Sequence, residues 1–219
     1  MVRRVTFVLF CVTVIFTLLV WAEIHYTGSR RYFFFIWNIS LSWIPYLLSL
    51  LMLALKNRPW FMMLAGVGWF FFYPNAPYML TDIVNLDWPY YYKTRQLEAE
   101  RIRFWYDFSF VTIGVWTSYL LGALSLFYVQ STVERKFAKM SSWLFAIPML
   151  LLSGYGIYLG RFIRLNSWDV VTRPIHLLEV VQSTLTQETL QLAALFGLVL
   201  ICTYLPLYIL MEGAKRRTS

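Results

Sequence analysis

An unbroken apolar run near the N-terminus, Val5–Ala22, is the sequence feature that most constrains the fold. Its length is about that of a helix that crosses a bilayer, and Arg3 and Arg4 precede it. A cleaved signal peptide is the alternative interpretation of such a start. The run is long for a signal sequence, and no small-x-small cleavage pattern precedes Glu23, so a retained membrane helix is favoured.

Five further apolar runs follow along the chain, separated by polar or mixed segments. Of the 219 residues, 59% are hydrophobic and only 14% are charged, which is more apolar than a soluble domain needs. Because the sequence contains no internal repeat and no long linker, we predict a single domain over residues 1–219. The predicted fold class is all-α, a polytopic transmembrane helix bundle of about six spans with a broken third helix and interfacial segments. The spans are predicted at residues 5–22, 33–55, 60–80, 104–129, 143–160 and 190–211.

The third span is interrupted by two prolines, Pro74 and Pro77. Proline lacks the N–H that a helix donates to the carbonyl four residues back, so the carbonyls of Phe70 and Tyr73 are predicted to lack donors. Within a membrane, such groups are tolerated only where protein, water or a ligand satisfies them. We therefore expect the break to line a cavity or an interface. The polar side chains expected there are those of Asn75, Thr81 and Asp82.

Two segments after the third span are predicted to lie at the membrane surface. Asp87–Tyr92 has the composition of an interfacial aromatic belt, and Gln96–Arg103 has that of a charged helix. Six spans place the loops after the first, third and fifth spans on one side of the membrane. The short loop after the first span has only Arg30 and Arg31 as its Lys or Arg residues. The positive-inside rule therefore predicts that both termini are cytoplasmic and that this side is the outer one.

The net charge of +8 does not indicate a nucleic-acid partner. The Lys and Arg residues occur in small clusters between the apolar spans, where topology and anionic lipid headgroups account for them. We therefore expect membrane lipids, and no nucleic acid, as partners. A membrane-protein partner and the oligomeric state are left open by the sequence.

Neither a metal nor a cofactor is predicted. Cys11 and Cys202 lie inside apolar spans, which indicates neither a disulfide framework nor a cysteine-based metal site. His176 and Glu179 have the i, i+3 spacing of helical metal ligands, but a single such pair favours an ordinary surface helix.

The residues after the proline break carry the first candidate site. If the helix resumes after Pro77, Tyr78, Asp82 and Asn85 share one face at the i, i+4, i+7 spacing, which directs a carboxylate and an amide toward one point. Asp82 is then a candidate catalytic base or cation ligand. A capped surface turn, in which Thr81 or Asp82 bonds the backbone, is the alternative. A water-channel half-helix is not favoured, because that fold needs two copies of the motif and this chain has one.

A second candidate site follows the fifth span. Gly156 and Gly160 form a small-xxx-small pair, which predicts close contact with a neighbouring helix. Arg161 and Arg164 then place two guanidinium groups at headgroup depth, where they could bind phosphate or carboxylate bidentately. Ordinary snorkelling toward the membrane surface is the alternative. The aspartates with which these arginines could pair are Asp82, Asp107 and Asp169. The other candidate ligand-binding side chains of this segment are those of Asn166 and Trp168.

Two segments, Phe72–Asp82 and Gly156–Asp169, resemble a family of bacterial multi-pass inner-membrane proteins known only as a domain of unknown function. The patterns that carry the resemblance are PNAPYxxTD and GIYLGRFxRxNSWD, and the resemblance covers nearly the whole chain. It implies a polytopic protein of the bacterial inner membrane, and it implies no activity. In the family a histidine often follows Thr-Asp by three residues, where this chain has Asn85. An amide is a poorer ligand than imidazole for transition metals, so a metal site at Asp82 is not favoured.

Three classes of function fit these residues. The first, which fits them best, is an outer-face site that binds or transforms an anionic or lipid-headgroup ligand, with Arg161 and Arg164 as anion clamps. The second is a small-solute or ion transporter built on the broken third helix, which the lack of a sequence repeat disfavours. The third is a structural or assembly partner whose motifs only lock loops together through Arg-Asp pairs. Whether the protein is an enzyme is left open by the sequence.

Overall fold

The computed structural model describes residues 2–86, 88–94 and 96–218. Over these residues the chain forms ten α-helices and no β-strand, which confirms the all-α prediction. The helices are α1 (Val2–Thr27), α2 (Phe33–Ala54), α3 (Pro59–Phe72), α4 (Asn75–Tyr78), α5 (Trp88–Thr94), α6 (Glu98–Phe137), α7 (Lys139–Tyr158), α8 (Asp169–Thr172), α9 (Pro174–Thr184) and α10 (Gln187–Thr218). A 3₁₀ helix, Met79–Asn85, follows α4, and a turn of π-helix, Leu159–Ile163, extends α7.

Five of these helices are long and apolar enough to cross a membrane. They are α1, α2, α6, α7 with its π-helical extension, and α10. The chain is therefore a multi-pass membrane protein, and the prediction of a transmembrane helix bundle is confirmed.

The third predicted span has a different form. α3 has 14 residues, which is about 21 Å of helix, shorter than a hydrocarbon core of about 30 Å. The helical path continues through α4 and the 3₁₀ helix to Asn85. A hydrogen bond of 2.8 Å from Asn38 Nδ2 to Asp82 Oδ2 places the end of this path beside the beginning of α2. The third segment, residues 59–85, therefore runs back along α2, and the count of six spans stays a prediction.

The region between the third segment and the next span is helical. The predicted aromatic belt forms α5, although its first residue, Asp87, lies outside the described residues. The charged stretch is also helical, as predicted, but from Glu98 onward it is continuous with the fourth span in α6. No proline interrupts the chain between Glu98 and Phe137, so nothing in the sequence forces a break there.

The central helix of the bundle is α6. In its most apolar stretch 72% of the residues are buried, against 33% or less in each of the other four spanning helices. Its neighbours include α1, α2, the 3₁₀ helix and α7. Two hydrophobic clusters share it: one contains Phe16, Phe35 and Phe110, and the other contains Trp69 and Leu126. Because lipid is as apolar as these side chains, van der Waals packing rather than the hydrophobic effect holds these helices together.

The contact between α7 and α10 depends on glycine. Gly154 faces Gly197 so closely that a Cβ on Gly154 would overlap the carbonyl oxygen of Ala193. This is small-residue packing of the kind that membrane helices use.

A second glycine contact joins α7 to the third segment. A Cβ on Gly156 would lie 2.9 Å from the Pro74 ring, and one on Gly160 would lie 3.1 Å from the Tyr78 ring. The close contact predicted for the small-xxx-small pair is therefore confirmed. It docks the GIYLGRF segment directly on the PNAPY segment, so the two motifs meet in space.

Candidate ligand-binding site

A cavity of about 1000 Å³ lies between α2, the third segment, α7 and α9. Polar and charged side chains line the part near the C-terminal end of α7, and large apolar side chains line the rest. The polar lining includes Asn38, Asn75, Asp82, Arg161, Arg164 and Ser167. The apolar lining includes Trp37, Leu41, Phe70, Phe71, Met149 and Leu152. The cavity is therefore amphipathic.

The proline break forms part of the cavity wall, as predicted. Two of its backbone carbonyls accept local hydrogen bonds: Ala76 N–H donates to the Tyr73 carbonyl at 3.2 Å, and Asn75 Nδ2 donates to the Phe72 carbonyl at 2.9 Å. The prediction that the Tyr73 carbonyl lacks a donor is wrong, because the chain tightens to an i to i+3 bond that does not need the proline nitrogen. From α6, Ser118 Oγ donates to the Ala76 carbonyl at 2.8 Å.

Asp82 is completely buried in the 3₁₀ helix, and its carboxylate accepts three hydrogen bonds. Its Oδ2 accepts from Asn38 Nδ2 at 2.8 Å. Its Oδ1 accepts from Asn85 Nδ2 at 3.1 Å and from Arg161 Nη2 at 3.1 Å. The contact with Arg161 is the ion pair predicted between the two motifs. A buried carboxylate is tolerated here because it is both paired and hydrogen-bonded.

Arg161 lies in the π-helical turn and is fixed by further partners in the first motif. Its Nε donates to Thr81 Oγ1 at 3.1 Å, and its Cζ lies 5.2 Å from the centroid of the Tyr78 ring, as in a cation–π contact. Thr81 Oγ1 in turn donates to the Tyr78 carbonyl at 2.8 Å, which is the local bond of the capped-turn alternative. The two interpretations of the first motif were a polar helical face and a capped turn, and each is found in part: Asn85 bonds Asp82, and Thr81 bonds the backbone.

The electrostatics of this pair favour a positioning role. The Asp82 carboxylate is buried, and it is balanced by the charge of Arg161 and by the hydrogen bond from Asn38. Because both carboxylate oxygens already accept hydrogen bonds, a role for Asp82 as base or cation ligand requires one of those bonds to break. The geometry instead fits a carboxylate that orients Arg161.

Arg164 differs from Arg161 in its backbone conformation, its exposure and its side-chain partners. It ends the π-helical turn in the left-handed conformation, with φ 64° and ψ 33°. For a residue other than glycine this conformation costs about 1–2 kcal/mol. Its side chain is exposed and lines the cavity. Among the described residues it has no ion-pair or hydrogen-bond partner, so its guanidinium is available to a ligand.

The loop after Arg164 is tied to the first motif. Asn75 Nδ2 donates to Ser167 Oγ at 2.8 Å. Trp168 makes an edge contact with Trp37, with ring centroids 6.0 Å apart. Trp168 therefore braces the cavity wall through Trp37 instead of lining the cavity itself.

Asp169 has a local structural role. It is 7% exposed, and it accepts hydrogen bonds from the backbone N–H of Asn166 at 2.8 Å and from Thr172 Oγ1 at 3.3 Å. The possible pairing of Asp169 with an arginine of this segment is not found. The carboxylate is used to hold the turn that begins α8, which removes it as a counter-ion.

Asp107 lies away from the cavity, in a second polar cluster between α1 and α6. Its Oδ2 accepts a hydrogen bond from Tyr32 Oη at 2.8 Å, and its Oδ1 has no partner among the described residues. Nearby, Arg103 Nε lies 3.7 Å from Glu23 Oε1, beside a cavity of about 320 Å³. The structure therefore does not bring Asp107 together with the candidate residues that line the large cavity. The reason is that its side chain on α6 meets Tyr32, which directly precedes α2.

The contributors to the cavity that are absent from the predicted site include Asn38 and helix α9. Asn38 binds Asp82 directly, and its signal in the sequence is a primary amide inside the second predicted span. Helix α9 contributes Leu177 and Val181, which line the cavity. Tyr155 Oη on α7 holds α9 in place through a hydrogen bond of 2.8 Å with Thr184 Oγ1. No sequence pattern pairs these two residues.

The remaining candidates do not form a metal site. His176 and Glu179 are exposed on α9. Over the part of the chain that the structure describes, no group of three or more His, Cys, Asp or Glu side chains could hold a metal ion. Cys11 and Cys202 are both free thiols.

Comparison with known proteins places the chain in a family without assigning an activity. Residues 37–203, more than half of the chain, match the profile of a family described as proteins of unknown function (DUF1361). The matched region contains both motifs and nearly all of the cavity lining. No curated protein matches the chain. No solved structure matches it either.

Proposed function

The chain belongs to the DUF1361 family of proteins of unknown function, and we propose that it binds an anionic amphiphile in the cavity. The ligand class is a lipid or a lipid-linked phosphate. Its charged group contacts Arg164, and its hydrocarbon chain lies against the apolar wall. The observation that carries this proposal is the unpaired Arg164 guanidinium at the polar part of an otherwise apolar cavity.

The polar part of the cavity supports an anionic ligand. Arg161 is neutralised by Asp82 at 3.1 Å, so the pair contributes no net charge. Arg164 adds one positive charge and the five donors of a planar fork, which bind phosphate or carboxylate oxygens bidentately. Left-handed backbone at this arginine also fits a functional role, because strained residues concentrate at binding sites.

The apolar part supports a ligand with a long hydrocarbon chain. Along α7 and its π-helical extension the lining runs from Arg161 back to Met149, which is about 18 Å of helix directed into the membrane. Phe70 and Phe71 of α3 and Leu41 of α2 face this stretch across the cavity. A free inorganic anion would leave this apolar surface without a partner.

The membrane placement that goes with this proposal is the bacterial inner membrane with cytoplasmic termini. The sequence resemblance supports the membrane, and the short-loop charges support the orientation. The return of the third segment along α2 supports six crossings, since Asp82 ends beside the beginning of α2. In this topology the polar part of the cavity lies at the outer leaflet.

Of the two alternatives, the structural role has direct support only for Arg161. Its ion pair with Asp82 and its bond to Thr81 lock the motifs together, as a scaffold requires. That role gives no use to the Arg164 side chain, whose guanidinium has no ion-pair or hydrogen-bond partner among the described residues. A transporter would place its site near the middle of the membrane, whereas these charges lie where α7 ends.

The test is lipid retention by the purified protein, measured by native mass spectrometry. We expect Arg164→Gln to lower the retention of anionic lipid about tenfold or more, because one charge-assisted bidentate contact is lost. The matched control is Arg173→Gln, which removes the same charge from an exposed arginine outside the cavity lining. Equal retention by the wild type and both variants would refute the proposal.

A further inference from the structure

The charges that line the cavity also bear on which headgroup it accepts. Among the described lining residues the charged side chains are those of Asp82, Arg161 and Arg164. Asp82 has no exposed surface and accepts three hydrogen bonds. It is therefore closed to a ligand. The Arg161 guanidinium, which is 21% exposed, is paired with Asp82, so Arg164 carries the one charge without a counter-ion among the described lining residues.

The neutral groups beside Arg164 are suited to hydroxyl and ester oxygens. Asn166 is exposed and lines the cavity, and its side-chain amide has no hydrogen-bond partner among the described residues. Ser167 Oγ accepts from Asn75, which leaves its own proton free to donate. These groups can bind a neutral polar headgroup but cannot neutralise a cationic one.

A zwitterionic headgroup is poorly matched to this arrangement. Its phosphate could bind Arg164, but its ammonium would find no available carboxylate. The nearest acid in the chain after Arg164 is Asp169, which is 7% exposed and is used by Asn166 N–H and Thr172 Oγ1. An ammonium placed beside Arg164 would be repelled by it, which is how a binding site discriminates against a competitor.

A doubly charged phosphomonoester is poorly matched as well. Its second charge has no second free cation among the described lining residues, because Arg161 is already paired. The Asp82 carboxylate behind Arg161 opposes additional negative charge.

We therefore propose that the cavity selects a singly charged phosphodiester headgroup that carries neutral hydroxyl groups, over zwitterionic and doubly charged headgroups. This inference rests on the proposed function, since it concerns the same cavity. Phosphatidylglycerol is the simplest membrane lipid with this headgroup chemistry. A soluble glycerol phosphodiester has the same headgroup without the chains, so the two sources have to be separated by experiment.

The experiment titrates the delipidated full-length protein with phosphatidylglycerol, phosphatidylethanolamine and phosphatidic acid that have identical acyl chains, and with glycerophosphoglycerol. We expect phosphatidylglycerol to bind about tenfold more tightly than phosphatidylethanolamine, which corresponds to one uncompensated charged contact. We also expect phosphatidic acid to bind no more tightly than phosphatidylglycerol. Glycerophosphoglycerol should bind far more weakly than the lipid.

A variant that adds a carboxylate to the cavity tests whether the missing counter-ion for an ammonium causes the headgroup preference. Asn166→Asp installs a carboxylate next to Arg164, so we expect it to reduce the preference for phosphatidylglycerol over phosphatidylethanolamine. Its matched control is Asn57→Asp, which adds the same charge at an exposed turn between α2 and α3 and should leave the preference unchanged.

The outcomes separate this inference from the proposed function. If phosphatidylglycerol and phosphatidylethanolamine bind equally well, and both are lost in Arg164→Gln, the headgroup selectivity is wrong and amphiphile binding stands. Tighter binding of phosphatidic acid would overturn the single-charge argument in the same way. If Arg164→Gln binds every lipid as the wild type does, the proposed function itself fails. If the chain-free headgroup binds as tightly as the lipid, the ligand is a soluble phosphodiester and the lipid source is wrong.

Discussion

Arg161 and Arg164 are the same amino acid three positions apart, but the π-helical turn between α7 and the following loop gives them different surroundings. The Arg161 guanidinium contacts Asp82, Thr81 and the Tyr78 ring. The ion pair with Asp82 balances its charge, and its Nε and Nη2 groups are used as hydrogen-bond donors. Arg164 ends the turn in the left-handed conformation with an exposed guanidinium. A single turn thus separates a structural arginine from one that is available for binding.

The backbone of Arg164 leads to a prediction about stability. Arg164→Gly should raise the free energy of unfolding by up to about 1 kcal/mol, because relief of about 1–2 kcal/mol of left-handed strain exceeds the entropy cost of glycine, about 0.5–1 kcal/mol. The same variant should lose anionic lipid as Arg164→Gln does. Stability is measured by denaturant unfolding in detergent.

The matched control for this variant is Arg173→Gly. Arg173 has φ −144°, so glycine relieves no strain there and should leave stability unchanged or lower it. If Arg164→Gly is less stable than the wild type, the side chain makes contacts that outweigh the strain. That result would argue against a guanidinium free for ligand.

Glycine contacts set the geometry of the site at the scale of helices. α7 packs Gly154 against α10. Gly156 of α7 and Gly160 of its π-helical extension pack against the third segment. The first contact builds the bundle. The second contact brings Arg161 of one motif to 3.1 Å from Asp82 of the other, so the ion pair depends on the distance between the helices.

Gly156→Ala should therefore destabilise the protein by about 1–3 kcal/mol, the range that overpacking costs in a well-packed interior. The added Cβ would lie 2.9 Å from the Pro74 ring, and proline cannot turn away as a flexible side chain would. Gly213→Ala is the control, because nothing lies within 4 Å of a Cβ at that helical position. Thermal unfolding of the two variants in the same detergent measures the difference. Equal melting temperatures would mean that the third segment can shift without cost.

At the scale of the whole molecule, the proposed function needs both motifs on the outer side of the membrane. Single cysteines at positions 93, 136 and 173, in a variant without Cys11 and Cys202, report sidedness when intact cells are treated with a membrane-impermeant thiol reagent. All three native residues at these positions are exposed. We expect labelling at Lys93→Cys and Arg173→Cys and no labelling at Lys136→Cys, because six spans and cytoplasmic termini place only position 136 inside.

The opposite pattern would reverse the orientation and place the polar part of the cavity at the inner leaflet. Labelling at all three positions would show that the number of crossings is not six. The third segment would then be the element to reconsider, since α3 alone has 14 residues.

Much of the architecture follows from local sequence. The apolar runs predict the spanning helices because bilayer thickness fixes their length, and the prolines and glycines of the two motifs predict the broken helix and the close helix contact. The pairing of Arg161 with Asp82 could be predicted from the sequence, because the loops after odd-numbered spans lie on the same side of the membrane. These inferences need only the chain and the thickness of the bilayer.

The tertiary structure decided which polar groups share the cavity. Asn38 is 44 positions from Asp82 yet binds it, while Asp107 faces Tyr32 and Asp169 holds its own turn. Sequence spacing does not predict these hydrogen-bond partners, because they depend on how each helix is rotated about its axis when it packs. The left-handed turn at Arg164 was equally hidden, since a π-helical turn shifts the helical register that the spacing assumes. The sequence by itself determined a helical membrane bundle with two converging motifs, and only helix rotation and one turn decided which arginine is left for a ligand.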